Sequence, residues 1–146
     1  MKVVDTQAYL SELREIIAAG GDVSVPVSGG SMTPFLIHGR DQVHLRKPNR
    51  RLKKGDIVLY QRANGQFVLH RIVGVHGDRY DLLGDAQTLT ERYVPRTQIF
   101  ALAVFCCRKG KWIGPRSFWW QFFAHVWPLL RPVRRPILTL YTRLFH

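Results

Sequence analysis

Acidic residues stop at Glu91. Residues 92–146 hold 10 of the 22 basic residues and none of the 10 acidic ones, so most of the +12 net charge lies in that last stretch. A segment charged in this way is expected to face an anionic partner, either lipid headgroups or nucleic acid. Cysteine is scarce as well. Cys106 and Cys107 are adjacent, which excludes a disulfide scaffold and a zinc-finger class. His38, His44, His70 and His76 lack the spacing and the thiolate or carboxylate company of a metal site, so neither metal nor cofactor is expected. Long apolar runs are missing too. The best one, Phe118–Leu130, is 13 residues interrupted by Gln121, His125 and Pro128, against roughly 18–20 for a bilayer span. Met1–Asp5 leads into a polar stretch with no secretory apolar region. The chain is therefore expected on the cytoplasmic side, at most peripheral on the inner face of the membrane.

With 146 residues, 46% hydrophobic and 22% charged, the sequence can bury one core and is not disordered. Residues 1–21 read as a helix. Asp5 or Thr6 can cap it, Leu10, Leu13 and Ile17 lie on one face, and Gly20-Gly21 ends it. Residues 22–110 read as a β-rich body. Asp22–Val27 and Gln42–Lys47 alternate, Asp56–Tyr60 is a short apolar run, and Asn64-Gly65 is a hairpin turn leading into Phe67–Val75. Ile99–Cys107 is continuously apolar, as in a strand buried on both faces. Residues 111–146 form a basic, aromatic extension in which Pro128, Pro132 and Pro136 forbid one long helix and predict two short amphipathic ones. The aromatics and arginines of residues 117–146 suit a membrane interface. The alternative is a helix packed over the β body with its arginines outward.

Three segments carry chemistry: Ser28-Gly29-Gly30-Ser31-Met32-Thr33-Pro34, Gly55-Asp56-Ile57-Val58 and Leu69-His70-Arg71-Ile72-Val73. Glycines before Ser31 let a substrate carbonyl approach the backbone and leave the Ser31 N–H as an oxyanion donor. Serine needs an adjacent base. His70, flanked on its strand face by Val68 and Ile72, is kept neutral by partial desolvation and can serve. Lys53 and Lys54 lie in a polar turn and stay charged. A carboxylate can orient the second ring nitrogen, and Asp85 of Leu83-Gly84-Asp85-Ala86 is the first choice, ahead of Asp81 and Asp78. Asp56 reads as a turn residue.

In this order the segments resemble the successive boxes of the signal peptidase I and LexA-like serine peptidases, over about Val25 to Val104. The resemblance implies a largely antiparallel, coiled β-sheet or barrel. It makes Ser31 the nucleophile, and it makes His70 the base, as in the Ser-His branch of the endoplasmic-reticulum and SipW-like signal peptidases. It gives Asp85 the supporting role, with Ser28, Gly30 and Met32 around the oxyanion and substrate. Two departures stand out. Only about 20 residues of helix precede the β body, where signal peptidases usually carry a membrane anchor. Gly29 also stands where many relatives place a hydroxyl. The expected function is a serine endopeptidase acting on a peptide or precursor protein, with activity rising through an apparent pKa near about 6.5 or a little lower. The alternatives are a catalytically idle, peptide-binding relative and a basic nucleic-acid-binding regulator. The last is disfavoured because the segment before Ser31 is too short for the DNA-binding domain of LexA-like regulators.

Overall fold

A computed structural model describes residues 3–145. Helix α1 (Val3–Ala18) is followed by strands β1 (Val23–Pro26), β2 (Gln42–Arg46), β3 (Ile57–Gln61), β4 (Phe67–His76), β5 (Arg79–Leu83), β6 (Glu91–Pro95), β7 (Ile99–Arg108) and β8 (Lys111–Ile113). The helix ends as its glycines dictate: Gly20 takes φ +94°, and the Gly20 and Gly21 N–H groups bond back to the carbonyls of Ile17 and Ile16.

All pairings are antiparallel, in the order β1-β2-β7-β3-β4-β5-β6, with β8 added to β7. The mainly-β expectation holds, but the sheet is open rather than a closed barrel, with β1 and β6 at its ends. The ten residues of β7 pair with β2 through Leu102–Cys107 and with β3 through Ile99–Leu102, so one central strand joins the halves. The β7–β8 hairpin carries the sheet past residue 110, to Ile113.

Both faces of the sheet are covered, which explains the unbroken apolar runs. On β3, Ile57 and Leu59 enter a core with Leu13, Ile17, Met32 and Phe35, whereas Val58 and Tyr60 enter a second one with Ile72, Leu82 and Val94. One break in β7 is Phe105, which is exposed beside His44 and Trp112.

The C-terminal extension follows a single helical path of changing pitch. Helix α2 (Phe118–Gln121) widens to a π turn over Phe122–Val126, tightens to a 3-10 segment over Trp127–Val133, and continues as α3 (Arg134–Phe145). Pro128 lacks an N–H and its ring would strike the Ala124 carbonyl in a regular helix, so the wide turn just before it has a steric cause. Trp120, Phe123 and Trp127 point inward, the first two against the Phe35 ring. The extension therefore packs on the β body along one side only. Among the described residues, no helix is long and apolar enough to cross a membrane.

Candidate active site

The three segments and the Leu83-Gly84-Asp85-Ala86 stretch meet in space. Ser31 opens the turn after β1, and its carbonyl accepts the Ala86 N–H at 2.8 Å. Gly84 lies so close that a Cβ there would stand 2.5 Å from the Ser31 oxygen and 3.0 Å from its Cβ, so the loop after β5 needs glycine at this point. Gly55 and Ile72 are joined by Gly55 N–H to Ile72 carbonyl and Ile72 N–H to Asp56 carbonyl, both 2.8 Å. Asp56 accepts the Lys53 N–H and both terminal nitrogens of Arg50, the behaviour of a turn aspartate.

Around Ser31 the backbone is arranged for donation. Gly29 takes φ +81° and its N–H is held by His38 Nδ1 at 2.8 Å. Among the described residues, no hydrogen bond takes the Ser31 N–H. Gly30 carries no Cβ and has open space around it. Ser28 is exposed on the wall of a neighbouring apolar groove. Met32 differs from the role the resemblance gave it. Its side chain is sealed in the core beside Phe35 and so anchors the turn, leaving only its backbone to face a ligand.

His70 lies on β4 opposite Val58, with its ring in the second core and only 2% of its surface exposed. Burial, with a smaller contribution from the Arg62 cation, lowers its pKa from 6.5 to about 4, well below the slight lowering expected from sequence. The sheet therefore holds a neutral imidazole through the whole ordinary pH range. Nδ1 faces the Tyr60 hydroxyl at 3.2 Å. That hydroxyl also lies against the Glu91–Arg62 pair, in which Arg62 Nε donates to Glu91 Oε1 at 3.0 Å. Burial, and then the Glu91 charge, raises the Tyr60 pKa and keeps the phenol protonated. Among the described residues, Nε2 has no hydrogen-bond partner. No hydrogen bond joins it to Ser31 Oγ.

Asp85 differs from expectation in its partner. Both carboxylate oxygens accept from Arg71, Nε and Nη2 each at 2.9 Å, and Arg71 Nη1 donates to the Gly55 carbonyl at 3.0 Å. Strand alternation explains this, because Arg71 and His70 are neighbours on β4 and point to opposite faces, and Asp85 lies on the arginine's side. The Asp85 backbone carbonyl accepts the Trp127 indole N–H. This buried pair ties three of the segments together and fixes the loop beneath Ser31. Asp81 is engaged by His76, at 2.8 Å, and by the Tyr93 N–H.

Tyr60 and Glu91 were missed by sequence reasoning. The available signal was the alternation on β3, which puts Tyr60 on the same sheet face as His70; nothing local marks Glu91. A groove of about 360 Å³ beside the strand that leads into the Ser31 turn is walled by Val25, Val27, Ser28, Leu59 and Leu69; neither Ser31 nor His70 lines it. Among the described residues no His, Cys, Asp or Glu group could hold a metal ion.

The open antiparallel sheet carries the glycine-set serine turn after β1 and the buried histidine on β4. The profile described as Peptidase S24-like matches residues 2–105, and the chain belongs to that family. No curated protein matches it.

Proposed function

We propose that the protein is a serine endopeptidase of the Ser-His type within the peptidase S24-like family, with Ser31 as nucleophile and His70 as general base. The observation that carries this reading is the neutral, buried His70, whose Nδ1 is engaged by Tyr60 and whose Nε2 is left without a protein partner. Ionised Glu91 only accepts, so it draws the Tyr60 O–H toward itself. The phenolic oxygen then accepts Nδ1–H, and the lone pair falls on Nε2. In the reacting complex Ser31 Oγ closes on Nε2, as catalytic hydrogen bonds tighten with substrate bound. Oγ attacks the peptide carbonyl, Nε2 takes its proton, and the Ser31 N–H donates to the oxyanion. The imidazolium protonates the leaving amine. A water deprotonated by the same nitrogen then cleaves the acyl-enzyme.

β1 is an edge strand, so an extended peptide can pair along it and lay side chains into the apolar groove. A groove of about 360 Å³ accepts small to medium apolar side chains beside the cut bond. Asp85 acts here as a positioning residue: with Arg71 it holds the loop against Ser31. The Ser-His chemistry supports the signal-peptidase branch and a peptide or precursor-protein substrate.

The test is cleavage of a peptide library carrying small apolar residues. Turnover by the wild type that Ser31→Ala abolishes supports the proposal. Peptide binding by both proteins without turnover by either supports the idle, peptide-binding relative instead.

A further inference from the structure

We infer that the outward face of the segment from Phe118 to Leu129 is a docking surface for an anionic lipid bilayer. Phe118, Val126 and Leu129 are exposed at helical spacing, with half-buried Phe122 between them resting partly on the core, opposite the inward Trp120, Phe123 and Trp127. A helical segment apolar on both sides needs cover on both sides, and the β body supplies only one. Phe118 is 70% exposed, Trp119 50% and Leu129 74%. The exposed rings form a patch rather than isolated positions. Phe118 lies 5.1 Å from Trp119, and Trp119 lies 5.7 Å from Phe122, centroid to centroid. The buried rings beneath hold this patch rigid, which lowers the entropic cost of inserting it into an interface.

Charge selects the occupant. Lys111 and Arg116 ahead of the patch and Arg135 and Arg143 beyond it are exposed, and none forms an ion pair among the described residues. No acidic residue occurs after Glu91. A second copy docked on this face would bring two such cationic rims together, a repulsion with no compensating acid. A bilayer with anionic headgroups meets both demands: its acyl boundary covers the rings, and its phosphates neutralise the rim. The path is too short and too broken by Pro128, Pro132 and Pro136 to span, so the segment lies in the plane of the interface.

The test uses the full chain in flotation with phosphatidylcholine vesicles, with and without phosphatidylglycerol. Binding roughly tenfold or more tighter to the anionic vesicles, and weakened by salt, is expected. The combined variant Phe118→Ser, Trp119→Ser, Leu129→Ser changes only exposed positions; it should keep its thermal unfolding and lose flotation. A folded wild-type protein that stays with the unbound fraction on anionic vesicles at low salt overturns the inference. So does sedimentation showing a dimer that the triple variant abolishes. Neither result depends on Ser31, whose reactivity is read separately in vesicle-free buffer.

Discussion

The Tyr60 hydroxyl lies 3.2 Å from Nδ1 of His70, inside the sheet and out of reach of bulk water. A buried imidazole with one engaged nitrogen has a defined tautomer, and which one it adopts decides whether Nε2 can take a proton. Tyr60→Phe keeps the ring and removes the hydroxyl. It should lower turnover about 10- to 100-fold, mainly in kcat, because the base loses its orienting partner. Nitrogen-15 NMR of the imidazole should report Nδ1–H in the wild type and a changed tautomer in the variant. A wild-type spectrum with the proton on Nε2 would contradict the assignment.

His70 also couples stability to pH. Its folded pKa of about 4 lies below the ordinary value of 6.5. Between those values the unfolded chain binds a proton that the folded chain refuses, so stability falls as the pH is lowered through this window. At about pH 5 the loss should be roughly 2 kcal/mol relative to about pH 7. Urea unfolding at both pH values checks this, and His70→Gln should remove most of the difference.

The same shift governs the rate. Turnover should stay level from about pH 8 down to about pH 5 and then fall as the base protonates near about pH 4. Sequence alone placed that fall near 6.5, because strand alternation shows apolar flanks but not how completely two layers close over them. A rate that climbs through 6.5 would mean a solvated His70.

The Arg71–Asp85 pair is buried with both carboxylate oxygens bonded. Arg71→Met leaves an unpaired carboxylate in the core and should cost about 3–5 kcal/mol. Arg71→Met with Asp85→Asn should recover part of that loss in urea unfolding. Equal losses in the single and double variants would show that the pairing matters little.

Gly84→Ala tests the loop against the nucleophile. The added Cβ would meet the Ser31 carbonyl oxygen at 2.5 Å, so the serine turn must move. A shift of that kind should reduce turnover about 100-fold while leaving the sheet folded, as read by circular dichroism.

Much of this arrangement is legible in the linear sequence, for reasons that are local. Gly20-Gly21 stops α1 because only glycine takes the positive φ comfortably. Asn64-Gly65 turns β3 into β4, with Gly65 at φ +90°. Ser31 and His70 stand out only because their segments occur together and in order, since glycine-serine turns and strand histidines are each common alone. The partners of His70 and Asp85 are another matter. They depend on the registers of β3 against β4, β4 against β5 and β5 against β6, which bring together residues 10 to 29 positions apart. Alternation says that Arg71 and His70 face opposite ways, but not which side Asp85 approaches. The extension divides likewise: its aromatics predict both packing and exposure, and the fold assigns Trp120, Phe123 and Trp127 to one and Phe118 and Trp119 to the other.

Reaction with a fluorophosphonate probe followed by intact mass asks whether His70 activates Ser31. One adduct is expected on the wild-type protein and none on Ser31→Ala or His70→Ala, with all three folded. An unlabelled, folded wild type, or an adduct that persists in His70→Ala at an undiminished rate, would contradict that activation.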